Sequence, residues 1–284
     1  MEQRVEARSE EQPEGQRSPE EQRFSFAKFA SHSFFTEVNR WLVEHVGPLR
    51  DRLVVDLGCG PGAVTTLILE RMERQGRGKV FAVDPSLVEL GKARQRITSE
   101  VVSFIQGSAE EISRLVPPVH VVLFCNAIHL VANKQRVIEE IRRALLPGGV
   151  LAFNSTFFAG CYHRGTDRFW RVWLVRALQY LKEKRVTVSR EAKALAMQWL
   201  TPEHYRDLLQ QAGFTDVQME MQVVDMNCQS LEDISEFSMF IEGALPGIPL
   251  DLASEALKAG VRRAFDDMHL TTVPRNWLQV LART

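Results

Sequence analysis

Two rhythms of apolar positions alternate along this chain. Leu53-Val54-Val55-Asp56-Leu57 is a short apolar run stopped by glycines, and over 63–74 the apolar positions recur at helical spacing. The same pairing returns with a run at 80–84 before a helix from about residue 87. It continues with runs at 101–105 and 119–124, a helix over 134–145 and a run at 150–153, where Pro147-Gly148-Gly149 is read as the helix stop before the fifth strand. Apolar strands alternating with helices predict a doubly wound, mostly parallel α/β sheet with helices on both faces and right-handed crossovers.

Outside this rhythm the text changes character. Residues 1–22 hold seven Glu, four Gln, three Arg and two Pro against three apolar residues, too few to offset the entropy of ordering, so a disordered tail is expected. Residues 23–284 then read as one domain. Over 23–50 the apolar positions Phe26, Ala30, Phe34, Val38 and Leu42 recur every four residues, predicting an amphipathic helix or helix pair that could form a lid. Two insertions, 157–200 and 227–274, are expected to form a helical cap. The first carries nine Lys or Arg against three acids and an apolar band of Phe169, Trp170, Trp173, Leu174, Ala177, Leu178 and Leu181. Between the insertions, Thr201-Pro202 opens a helix as N-cap and first helical position, a strand follows at 217–224, and a last strand is expected at 277–281.

Composition removes several classes of function. The formal charge is -1 with 45% apolar residues, so neither nucleic acid nor a membrane surface is favoured by charge, and an RNA or DNA acceptor is not expected. No window has the roughly 18 unbroken apolar residues of a spanning helix, and a cytoplasmic location is expected. Cys59, Cys125, Cys161 and Cys228 lie far apart without a CxxC pair, which suggests buried thiols and no metal site.

The chemistry is carried by Val54-Val55-Asp56-Leu57-Gly58-Cys59-Gly60-Pro61-Gly62, a strand running into three alternate glycines. Such a loop lets backbone approach a ligand at the N-terminus of the next helix. Asp84, 22 residues after Gly62, closes the second strand, where a carboxylate can accept from both hydroxyls of a ribose. Gly58, Gly60 and Ala63 also satisfy the loose dinucleotide fingerprint, so an NAD(P)-dependent oxidoreductase remains open. Asp56 beside the loop weighs against it, because a carboxylate repels a pyrophosphate and suits an ammonium group.

Together VVDLGCGPG, FAVDPS, QGSAEEI, FCNAIH and RALLPGGVLAFNS resemble the class I S-adenosylmethionine-dependent methyltransferases of small-molecule type, and the resemblance continues in WLTPEHYRDLLQQAGFTDV and WLQVLART. The resemblance implies a seven-stranded sheet whose last strand, over 277–281, is antiparallel between the fifth and sixth. It implies S-adenosylmethionine as cofactor: Asp56, Gly58, Cys59, Gly60 and Gly62 at the methionine part, Asp84 at the ribose, Pro85, Ser108 and Ala109 around the adenine, and Asn126 on the sulfonium side. Ser108 stands where many relatives have Asp, and His120 where an acid commonly opens the fourth strand.

Methyl transfer needs an acceptor aligned with the carbon-sulfur bond and water excluded, with a base only where an acceptor proton must leave. His129, three residues after Asn126, and His163, at the start of the first insertion, are the candidate bases; packing beside the cofactor and a solvent-facing loop are the structural alternatives. Phe29, His32, Phe157, Tyr162 and Trp170 are the candidate acceptor contacts. Aromatic-rich insertions favour a small, largely apolar metabolite methylated on oxygen or carbon. A catalytically silent methyltransferase-like binding protein is the remaining alternative.

Overall fold

The computed structural model describes residues 23–76, 78–186 and 199–284. The expected tail at 1–22 and the end of the first insertion, 187–198, lie outside the described residues. The chain opens with α1 (Ala27–Ala30) and α2 (Ser33–His45), the latter burying Phe35, Val38, Asn39, Leu42 and Val43. The alternation follows as β1 (Leu53–Leu57), α3 (Ala63–Gln75), β2 (Lys79–Asp84), α4 (Leu87–Arg96), β3 (Val102–Gln106), the short α5 (Ile112–Leu115), β4 (Val119–Cys125), α6 (Lys134–Ala144) and β5 (Leu145–Ser155). After it come α7 (Asp167–Glu183), α8 (Pro202–Gln211), β6 (Asp216–Asn227), α9 (Cys228–Ile234), α10 (Ser238–Ala244), α11 (Leu250–Met268) and β7 (Thr272–Arg283).

The seven strands form one sheet in the order β3-β2-β1-β4-β5-β7-β6, with β7 antiparallel to both neighbours, as the resemblance implies. β1 pairs with β2 on one side and β4 on the other, both parallel. The chain therefore winds outward in two directions from β1 and β4, and the crevice beyond their C-terminal ends is the topological switch point where such sheets bind ligands.

Three boundaries depart from the sequence reading. β5 starts at Leu145, directly after α6, so Pro147-Gly148-Gly149 lies within the strand; Gly148 takes a left-handed φ of 73° and the pairing with β4 shifts register between Val119 and Val121. β6 and β7 run 12 residues each, longer than the 217–224 and 277–281 runs, because their outer halves mix polar and apolar residues and include Pro274. Those extra rungs, pairing Arg275 with Val224 and Asp225 with Pro274, extend the sheet toward the insertions.

The insertions are helical where described. On α7 the buried positions are Phe169, Trp173, Ala177 and Leu181, a strict i, i+4 row, whereas Leu174 and Leu178 are exposed because they fall one residue off that row. α7 lies against α11, where Gly260 allows close approach: a Cβ there would stand 2.7 Å from the backbone nitrogen of Ala177. The Trp173 indole also donates to Leu257 O at 2.8 Å. Among the described residues no helix is long and apolar enough to cross a membrane. Cys59, Cys125 and Cys161 are buried and unpaired, while Cys228, expected to be buried, is half-buried at the start of α9.

Candidate active site

The glycine loop is fixed from beneath by β2. Gly58 and Cys59 both donate to Val83 O, at 2.8 and 3.0 Å, and Gly62 donates to Cys59 O at 3.0 Å. Gly58, Gly60 and Gly62 have φ of 68°, 51° and 85°, a conformation in which any other residue is strained. Their surroundings differ. A Cβ on Gly62 would meet Ile97 Cδ1 at 2.7 Å and one on Gly58 would meet Ala127 Cβ at 3.1 Å, but one on Gly60 would meet nothing within 4 Å. At the outer glycines a Cβ would also press on protein neighbours, whereas the central one faces open space.

Two buried carboxylates border this cradle. Asp84 accepts from Gly60 N at 2.8 Å through Oδ2 and from Ser86 N at 2.9 Å through Oδ1. It is aimed by the backbone of both the glycine loop and the start of α4. Asp56, 1% exposed, accepts from Thr65 Oγ1 at 2.5 Å. Burial pushes its carboxyl up to about 7 despite the Thr65 hydrogen bond, and the charge of Asp84 adds to the rise. The Cys59 thiol is raised far above its usual range by burial and by the same two carboxylates, which makes it an inert small residue. Ser108 precedes the short 3-10 turn Ala109–Glu111, whose Ala109 is buried, and Pro85 is exposed at the β2 end.

At the ends of β4 and β5 an amide network closes the floor. Asn126, at a left-handed φ of 51°, receives the Trp277 indole N–H on Oδ1 at 2.9 Å and donates from Nδ2 to Asn39 Oδ1 at 3.0 Å. Asn154 Nδ2 donates to the same Asn39 oxygen at 3.0 Å, and Asn154 Oδ1 accepts from Asn126 N at 2.9 Å. Every polar atom of the Asn126 side chain is therefore committed to α2 and β7. It stands directly after β4, and its partners are protein groups.

His129 sits in a short 3-10 turn after β4, with Nδ1 3.0 Å from Ser155 Oγ, which also accepts from Phe157 N at 2.9 Å. Its ring lies 4.5 Å from that of Phe157. Burial, then the charges of Lys134 and Arg275, lowers it to about 3, so it is a neutral imidazole and not a histidine poised near neutral pH. His163 donates from Nδ1 to Asn276 Oδ1 at 2.9 Å, the assignment that follows from Asn276 Nδ2 donating to Gly160 O.

Phe157, Tyr162 and Trp170 come together around Arg275, with the guanidinium carbon 5.7, 5.4 and 5.2 Å from their ring centres. Phe29 stacks on Trp277 at 6.2 Å, one indole away from Asn126. His32 adjoins Phe29 at 6.3 Å and stacks on Phe34 at 5.3 Å; its Nε2 is 2.8 Å from Asp233 Oδ2, and it lines a 360 Å³ cleft between α2 and β6 with Glu37 and Asp225. Thr65, Asn39, Ser155, Arg275 and the Trp277 indole escape the sequence reading.

The crevice fits S-adenosylmethionine in chemistry: an open backbone cradle at Gly60, a buried carboxylate suited to an ammonium group at Asp56, and a second carboxylate aimed across the loop at Asp84. Residues 54–149 match the family described as methyltransferase domain. Trans-aconitate 2-methyltransferase of Rhodopseudomonas palustris (strain BisA53) is 40% identical over 103 residues, which are 36% of this chain and 37% of that relative. The enzyme of the same name from Azoarcus sp. (strain BH72) is 36% identical over 131 residues, 45% of this chain and 48% of its own. The chain thus spans less than half the length of these relatives. Among solved structures, Haemonchus contortus phosphoethanolamine N-methyltransferase 2, in complex with S-adenosylhomocysteine, shares the fold at 17% identity and a TM-score of 0.54, over 94% of this chain and 57% of that one. The glycine loop, the sheet order and the matched segment agree: residues 54–149 carry a methyltransferase domain, set in a sheet with the strand order of the class I S-adenosylmethionine-dependent fold.

Proposed function

We propose that this protein methylates oxygen or carbon of a small, largely apolar metabolite. The observation that carries the reading is the buried cluster of aromatic rings packed beyond the ends of β4 and β5. Phe157 packs against His129 and lies 6.3 Å from Phe26 and 5.9 Å from Phe237, while Phe26 reaches Phe35 at 5.6 Å. An apolar, water-excluding surround of this kind suits a small acceptor. The trans-aconitate 2-methyltransferases carry a small acceptor in their name, which supports the scale.

Held by the Gly60 backbone, Asp84 and Asp56, S-adenosylmethionine would supply an electrophilic methyl carbon and leave as S-adenosylhomocysteine, and an acceptor hydroxyl would lose its proton to water when the site reopens. The chain's part is placement. Asp84 and the Gly60 backbone orient the nucleoside side, Asp56 receives the ammonium, and the aromatic rings hold the acceptor in line. His129, too weakly basic to hold a proton in neutral solution, orients an acceptor hydroxyl through its neutral ring.

Calorimetry with S-adenosylmethionine, S-adenosylhomocysteine and NADH, followed by a radiolabelled transfer assay on lipophilic hydroxy and carboxy compounds, tests this reading. Binding of the first two and label in a small acceptor is expected. Preference for NADH, or cofactor binding without transfer to any acceptor, would overturn it.

A further inference from the structure

Arg275 is 1% exposed, yet among the described residues no carboxylate pairs with it. Its Nε donates to Thr156 Oγ1 at 2.8 Å and one terminal nitrogen donates to Thr156 O at 2.9 Å. Phe157, Tyr162 and Trp170 surround it. A buried guanidinium with neutral partners leaves a full charge uncompensated, an expensive arrangement unless an anion completes it. Aromatic walls around a cation also make a dry site in which a carboxylate is held far more strongly than in water.

The position of Arg275 ties this charge to the acceptor side of the site. Arg275 stands on β7 two residues before Trp277, the partner of Asn126, and its charge reaches His129 across Phe157. Its outer cover is Tyr162, 43% exposed, whose side chain lies against the guanidinium. An anion can therefore reach Arg275 by displacing one half-exposed ring.

We propose that Arg275 is the anchor for a carboxylate on the methyl acceptor, so that the acceptor is an apolar acid carrying a second nucleophilic oxygen or carbon. This inference rests on the methyl-transfer reading and deepens it. The anchored carboxylate holds the acid in place, and the second nucleophile is the group presented for methylation.

The test begins with wild-type protein saturated with S-adenosylhomocysteine and titrated by calorimetry with 3-(4-hydroxyphenyl)propionate and with the matching amide. The acid should bind about tenfold or more tightly than the amide. Arg275→Met should abolish the preference, Arg275→Lys should keep part of it, and neither should change S-adenosylhomocysteine affinity. Equal binding of acid and amide to wild-type protein, binding of neither, or an unchanged preference in Arg275→Met would overturn the anchor. The wild-type comparison stands even where a variant fails to fold. In a parallel transfer assay, methylation of the amide with the kcat/KM of the acid would overturn the anchor while leaving methyl transfer standing. Tight binding of the acid without transfer to either compound would support the anchor and count against the methyl-transfer reading.

Discussion

The backbone nitrogen of Gly60 donates to Asp84 Oδ2 at 2.8 Å, so the centre of the glycine loop and the end of β2 share one hydrogen bond. The carboxylate proposed to hold the ribose is therefore also the group that shapes the cradle. Asp84→Ala is expected to weaken S-adenosylmethionine binding by about 1–3 kcal/mol and to lower the melting temperature of the free protein as well. Asp84→Asn, which keeps one carbonyl acceptor, should lose less stability than affinity. Calorimetry and thermal melts on both variants check the split.

The glycines separate packing from ligand space. Gly62→Ala should destabilise the fold by at least about 1 kcal/mol, because φ of 85° and Ile97 Cδ1 at 2.7 Å both oppose a Cβ. Gly60→Ala shares the unfavourable φ but meets no protein atom, so its loss should fall more heavily on cofactor affinity. Urea melts beside cofactor titrations distinguish the two patterns.

Asp56 makes cofactor binding depend on pH. In the free protein its carboxyl is raised to about 7 by burial, and a bound ammonium favours the ionised form, so binding expels a proton below that pH. Affinity should fall as pH drops from 8 to 6, with proton release visible as buffer-dependent heats. Asp56→Asn should flatten the dependence; an identical pH profile in that variant would remove Asp56 from the ammonium site.

Stability of the free protein should carry two opposed pH slopes. Asp56 binds its proton more tightly when folded, so its contribution favours folding at low pH and is lost as pH rises from about 4 to about 7. His129 is lowered to about 3 when folded, so the unfolded chain takes up the proton, and its contribution is lost as pH falls from about 6.5 to about 3. The two oppose each other between about 4 and 6.5. Asp56→Asn should expose the His129 slope in denaturation measured across that range, and His129→Asn should expose the other. The pH-rate profile should show no limb near 6.5 from His129.

Asn39, Asn126 and Asn154 act as one unit. Asn39→Ala leaves two amide donors without their shared acceptor and should cost about 1–3 kcal/mol. Asn39→Ala and Asn154→Ala together should cost less than their sum, which a double-mutant cycle by urea denaturation measures.

The proposed cofactor half of the site was visible as a candidate because it is contiguous. Asp56, the three glycines and Asp84 sit at strand ends within one stretch, where an apolar run, a glycine cluster and a single acid stand out against their neighbours. The acceptor half was not. Asn39, Ser155 and Arg275 come from an N-terminal helix, a strand end and the outer rungs of the last strand. Each is a common polar residue whose meaning is its burial and partner, properties without a one-dimensional pattern. Pro274 hid the first rungs of β7 by interrupting its apolar run, and with them Arg275. The signal that points to it is the Arg-Asn-Trp triplet leading into the strand read at 277–281. His129 was found by position, but its environment removed the basicity that its residue type suggested.

The insertion of β7 between β5 and β6 also sets an order of assembly. β1 to β4 can pair among themselves as soon as they have left the ribosome, so the nucleoside-facing crevice is built from neighbours in sequence. The strand that brings Arg275 and Trp277 arrives after both insertions, and its slot stays open until then, at the entropic cost of closing a long loop. During synthesis the protein should therefore acquire a grip on its methyl donor before it has any place to hold what is to be methylated.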